Sequence, residues 1–280
     1  MNEEQALEDR LERIVHSQSY RMAYEDLDFL TLYDLRPIRM QLELLKPELT
    51  FEKYKIRSTI VAFGSTRIVD PAVAAKTLER VRARLADTPG DVRRQRALAK
   101  AERLMVISRY YGVAQEFGRI VSAASQVGTD CEYVIVTGGG PGIMEAANRG
   151  AYECGAKSIG LNIHLPREQQ PNSYITPELC FQFRYFAIRK FHFLLRAKAL
   201  VVFPGGFGTM DELFEVLTLR QTGRMQHIPV ILFGREFWEK AINFQFLADE
   251  GTIDDEDLDL FRYAETAEEA WQIIREFHRA

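Results

Sequence analysis

The chain has 280 residues, 46% of them hydrophobic and 27% charged, enough apolar side chain for at least one sizeable core. That balance excludes wholesale disorder, a collagen-like repeat and a coiled-coil rod. Thirty-six Lys plus Arg against 40 Asp plus Glu leave a net charge of −4, so no overall field draws in nucleic acid.

Cys131, Cys154 and Cys180 are an odd count without C-x-x-C spacing, which argues against a disulfide framework and a tetrahedral zinc site. His16, His164, His192, His227 and His278 have no ligand spacing, so no metal and no cofactor is expected. The opening MNEEQALEDRLERIV lacks a basic flank followed by an apolar core, and no run approaches the ~20 apolar residues that span a bilayer. A cytoplasmic protein with no membrane partner is the expectation.

In chain order, residues 1–57 read as a helical extension, with Leu7, Leu11, Ile14 and Val15 at helical spacing and Pro37 and Pro47 breaking it up. Residues 58–280 read as a nucleotide-binding domain of α/β class. Short β-rich runs fall at Ser58–Phe63, Tyr133–Thr137, Ser158–Ile163, Leu179–Phe183, Ala199–Phe203 and Pro229–Phe233. Several are apolar at consecutive positions, as strands covered on both faces must be, which predicts a parallel sheet with helices on both sides. An insertion at 71–127 is predicted to hold two helices parted at Thr88-Pro89-Gly90. Its basic run from Arg80 to Arg103 reads as a solvated face rather than an RNA site. The acidic stretch Asp249–Asp259 is assigned to the surface, and Ala267–Phe277 to a closing amphipathic helix with Trp271, Ile274 and Phe277 on one side.

The chemistry concentrates in two strand–glycine loop–helix units. Tyr133–Thr137 runs into Gly138, Gly139, Gly140, Pro141 and Gly142, then a helix over Ile143–Glu153; Ala199–Phe203 runs into Pro204, Gly205, Gly206, Phe207, Gly208 and Thr209, then a helix over Met210–Thr222. Both loops sit at carboxyl ends of strands, where main-chain N–H groups and a helix N-terminus can hold a phosphate. Neither completes the dinucleotide fingerprint or carries the Gly-Lys-Ser/Thr ending of a triphosphate loop, so a monophosphate suits them better. Thr209 and Glu212 fit a capping box as well as a site carboxylate facing the ligand. Arg184, Arg189 and Lys190 form a third cluster, suited to an anion or to solvent, and Ser65 lies in the turn after the first strand.

The run Pro204-Gly205-Gly206-x-Gly208-Thr209-x-x-Glu212, with Arg189-Lys190 ahead of its strand, resembles the Lonely Guy (LOG) family. Its members are cytokinin riboside 5′-monophosphate phosphoribohydrolases and related nucleotide nucleosidases, once labelled lysine decarboxylases. The resemblance covers roughly residues 58–235. It implies a modified Rossmann fold, a catalytic pair of Arg189 and Glu212, and phosphate held by Gly206, Gly208, Thr209 and Ser65. Gly139, Gly140, Gly142, Lys190 and Gly205 complete the expected substrate-binding set. It also implies a homodimer or larger homo-oligomer. The expected reaction cleaves the N-glycosidic bond of a nucleoside 5′-monophosphate to free base and ribose 5-phosphate, with AMP or a cytokinin precursor as substrate. The alternative is a nucleotide or molybdenum-cofactor carrier. A pyridoxal-phosphate decarboxylase would need a Schiff-base lysine, for which Lys190 and Lys198 are the candidates.

Overall fold

A computed structural model describes residues 3–126, 131–165 and 170–279. The chain divides into two compact units, residues 1–46 and 47–280. The first holds α1 (Glu3–Val15), α2 (Leu27–Thr31) and most of α3 (Arg36–Lys53). Pro37 and Pro47 do not interrupt α3, contrary to expectation. Pro37 falls in the first turn, where an N–H has no intrahelical acceptor, whereas Pro47 costs the helix interior one bond.

The second unit is built on one seven-stranded sheet: β1 (Thr59–Phe63), β2 (Val134–Thr137), β3 (Ser158–Ile163), β4 (Cys180–Phe183), β5 (Ala197–Val202), β6 (Val230–Phe233) and β7 (Arg262–Ala264). Their order is β4-β3-β2-β1-β5-β6-β7 and every pairing is parallel. The expected α/β class, with helices around a parallel sheet, is therefore the observed one. Strand residues alternate between two cores: Val61 and Phe63 of β1 join one, Ile60 and Ala62 the other. The first core is covered by α8 (Phe186–Leu195), α9 (Phe207–Gln221), α10 (Arg235–Ala241) and α11 (Phe244–Asp249), the second by α6 (Arg109–Ser125), α7 (Ile143–Glu153) and α12 (Ala267–Arg279).

Between β1 and β2 the structure has three helices, not two: α4 (Pro71–Ala86), α5 (Val92–Ile107) and α6, the last two meeting at Ser108. Asp70 and Asp91 cap α4 and α5 through their carboxylates. Only α4 and α5 have the character of an insertion, with one buried residue each, Ala74 and Ala101. Helix α6 buries Tyr110, Tyr111, Ala114, Phe117 and Val121 and is part of the core. It lies so close to α7 that a Cβ at Gly150 would overlap the Gln115 carbonyl. Val127, the last residue of the expected insertion, lies outside the described residues. In α12 the buried side is Ala267, Ala270 and Ile274, while Phe277 is exposed.

The chain leaves β1 toward β2, β3 and β4 and then returns to lay β5 on the other side of β1. That reversal opens a crevice beyond the carboxyl ends of β1 and β5, the place where open α/β sheets bind ligands.

Candidate functional site

A cavity of about 670 Å³ occupies that crevice. Its floor is the turn after β1, Gly64-Ser65-Thr66, and the loop after β5, Pro204-Gly205-Gly206. Backbone bonds join the two: the Phe203 amide donates to the Phe63 carbonyl (2.8 Å) and the Ser65 amide to the Pro204 carbonyl (3.1 Å). The Ser65 hydroxyl accepts from the Arg67 amide at 3.1 Å, which fixes its oxygen at the cavity wall while leaving its proton to donate.

Helix α9 begins at Phe207, three residues earlier than its sequence suggests, and Gly206 is its N-cap with no side-chain cap. The first-turn amides of Phe207, Gly208 and Thr209 therefore have no intrahelical acceptor and lie on the cavity wall. The aligned peptide dipoles add positive potential at the same point. This start also removes the capping-box reading, since Thr209 is the third residue of the helix and Glu212 lies in its second turn.

Glu212 is 93% buried in the cavity wall, a carboxyl group almost out of water. Burial pushes its pKa up from 4.5 to about 7, against the opposing pull of Lys190 and Arg189. Asp211 and Glu215 raise it further. The Lys190 ammonium is 2.9 Å from Asp211, 3.0 Å from Glu215 and 4.0 Å from the Glu212 carboxylate. It therefore faces three carboxylates rather than an anion site, unlike the phosphate ligand the sequence suggests. Lys198 is the second residue of β5, at the strand end opposite the cavity.

Arg189 lies on the cavity wall and is rigidly held. Its Nε–H donates to the Leu161 carbonyl at 2.8 Å and its guanidinium covers the Phe193 ring at 5.1 Å. Burial lowers its pKa and Glu212 raises it. Its remaining N–H groups are the donors it can offer a ligand.

The first glycine loop has a different role from the second. Gly139, Gly140 and Gly142 are buried and do not border the cavity. The Gly139 amide donates to the Thr137 hydroxyl (3.0 Å), and Asn172 donates to the carbonyls of Gly139 (2.9 Å) and Gly140 (3.0 Å). Fully buried Asn148 accepts from Thr137 and Asn172 and locks the set. Gly142 has φ +74°, and a Cβ there would meet the backbone of Ser65 and Thr66, so only glycine seats this loop against the β1 turn. From this unit only Met144 reaches the cavity.

The sequence reading gave no site role to four residues of the wall. Arg67, two positions beyond Ser65, is the second cation on the wall, and its guanidinium has no ion-pair partner among the described residues. Phe207 stands 93% exposed at the mouth, with Phe186 also exposed beside the cavity. Ile107, the last residue of α5, reaches the wall from the insertion. Of the four, only Arg67 had a signal, its closeness to the Phe63-Gly64-Ser65 turn.

Among the described residues no group of three His, Cys, Asp or Glu side chains could hold a metal, and no helix is long and apolar enough to cross a membrane.

Comparison with known proteins bears out the resemblance. A family model described as "Possible lysine decarboxylase" matches residues 144–274, which contain Arg189 and Glu212. The chain is 27% identical over 153 residues to a probable cytokinin riboside 5′-monophosphate phosphoribohydrolase of Oryza sativa subsp. japonica, covering 51% of this chain and 68% of that one. It is 28% identical over 149 residues to a cytokinin riboside 5′-monophosphate phosphoribohydrolase of Arabidopsis thaliana, covering 51% and 67%. Among solved structures, the molybdenum cofactor binding protein of Rippkaea orientalis aligns with 60% of this chain and 87% of its own at 18% identity and a TM-score of 0.43.

Proposed function

From the chain's kinship with the Lonely Guy proteins, we propose that the cavity hydrolyses the N-glycosidic bond of a nucleoside 5′-monophosphate, giving free base and ribose 5-phosphate. The observation that carries this reading is Glu212, a nearly buried carboxyl beside an uncapped helix start at the carboxyl edge of the sheet. The amides of Phe207, Gly208 and Thr209, the Ser65 hydroxyl and Arg67 hold the phosphate. That grip lends binding energy to placing the ribose. Phe186 and Phe207 offer flat apolar faces to the base.

Breaking the C1′–N bond builds positive oxocarbenium character on the ribose, and an ionised Glu212 stabilises it. Water supplies hydroxide to C1′ and a proton to the departing nitrogen. A carboxyl titrating near 7 can take up that proton and release it within one turnover. Arg189, permanently charged, orients the substrate and stabilises the leaving base electrostatically. Lys190 acts through Glu212, holding part of the carboxylate charge. The enzyme works as a homo-oligomer.

The test is incubation with AMP, GMP, CMP, UMP and a cytokinin riboside monophosphate, with free base followed by chromatography. Base from at least one of them is expected. No base from any, with nucleotide retained intact through purification, would make the protein a carrier instead.

A further inference from the structure

A second cavity, of about 480 Å³, opens at the opposite edge of the sheet, ahead of the amino end of β2 and between the end of α6 and α12. A volume of that order suits a small molecule. None of its lining residues borders the crevice that holds Glu212. Two rings form its walls. Tyr133 and Trp271 meet edge to face, with centroids 5.8 Å apart and planes at 78°. They do not stack on each other but stand as adjoining walls, so a flat ring laid on one meets the other edge-on, and aromatic pairs favour both arrangements. Tyr133 has φ +49°, a left-handed conformation that bulky side chains rarely adopt. Its amide donates to the Ser58 hydroxyl at 2.9 Å, which helps to hold it there.

His278 lies against the Tyr133 ring, centroids 5.8 Å apart, with its Nε2 2.8 Å from the Lys198 carbonyl. A carbonyl only accepts, so Nε2 carries the proton and Nδ1 is left for a ligand. The rim of the cavity is cationic. Arg275 and Arg279, four residues apart on α12, both border it and both are exposed. Neither has an ion-pair partner among the described residues. Like charges at that spacing repel each other, and an anion between them relieves the repulsion. Glu132, which accepts from the Ser58 hydroxyl at 3.2 Å, is the one carboxylate among the lining residues, so two guanidiniums against it leave the wall net positive. Planar guanidiniums match the oxygens of a phosphate.

We propose that this cavity is a second ligand site, taking a nucleoside 5′-phosphate with its base against Trp271 and Tyr133 and its phosphate between Arg275 and Arg279. Glu132 and Nδ1 of His278 are then the acceptors for ribose hydroxyls. The ligand has to carry both parts: inorganic phosphate leaves the rings bare, and a nucleoside leaves the arginines without an anion. The site stands on this geometry and not on the reaction proposed for the other edge of the sheet.

Tryptophan fluorescence of the full-length Glu212→Gln chain, in which AMP is not consumed, tests it. The chain has two tryptophans, Trp238 fully buried in the core and Trp271 in the cavity wall. AMP, with excitation beyond its own absorption, should quench the emission to saturation, and Trp271→Phe should remove the quench. Arg275→Gln/Arg279→Gln should raise the Kd by about 10-fold or more, with an unchanged melting temperature because both side chains are exposed. Adenosine should bind more weakly than AMP by a similar factor. Arg67→Ala, in the other cavity, should leave this Kd where it is, which separates the two sites. AMP held only at the carboxyl edge would answer to Arg67→Ala and not to the arginine pair, and would overturn the proposal. So would the absence of a quench, or a quench that survives Trp271→Phe.

Discussion

Replacing Glu212 by Gln should abolish turnover and make the fold more stable at alkaline pH. In the folded protein the carboxyl titrates near 7 instead of 4.5, mainly because it is buried. The folded state therefore binds a proton more tightly than the unfolded chain, and its stability falls as pH rises from about 4.5 through 7. At about 1.4 kcal/mol per pKa unit, ionised Glu212 costs the fold about 3 kcal/mol above pH 8. Glutamine keeps the shape and carries no charge, so the cost disappears. Thermal melts of wild type and Glu212→Gln at pH 5 and pH 8.5 measure the difference. The two should nearly coincide at pH 5, where both side chains are neutral in the fold. At pH 8.5 the variant should melt higher, by on the order of 5–10 °C for a chain of this size. A variant less stable at both values, or a gap that does not change with pH, would refute the reasoning that burial dominates this carboxyl. Retained turnover would refute its chemical role.

Base release by the wild type should rise with pH through about 7, as Glu212 ionises. Lys190→Gln removes a cation 4.0 Å from that carboxylate, so the rising limb should move to higher pH by on the order of one unit, read from kcat against pH. Arg67→Ala should raise KM for the nucleotide roughly 10-fold or more with little change in kcat, the loss of one charge-assisted hydrogen bond, and Arg67→Lys should recover part of it. Gly150→Ala should destabilise the protein by about 1–3 kcal/mol in denaturant titrations, because the added methyl overlaps the Gln115 carbonyl and α6 must move away from α7.

The sheet was legible because its central strands are buried on both faces and leave runs of consecutive apolar residues, as in Val134-Ile135-Val136 and Ala199-Leu200-Val201-Val202. Strand β7 escaped because Arg262-Tyr263-Ala264 is three residues long and only Ala264 is buried. The second glycine loop showed its position but not its boundary, since Phe207-Gly208-Thr209 reads as loop yet forms the first turn of α9. Arg189-Lys190 reads as a pair of cations for an anion; only the fold reveals that Asp211 and Glu215 already hold the lysine. Asn172, 24 residues from its partner Asn148, ties down the first glycine loop through contacts that no local pattern announces.

A crystal structure of the Glu212→Gln protein with AMP tests the central claim most directly. The nucleotide should be intact, its phosphate within hydrogen-bond distance of the Phe207, Gly208 and Thr209 amides, and the side chain at position 212 against the anomeric carbon. A phosphate bound away from those amides, or that side chain turned from the ribose, would contradict the account.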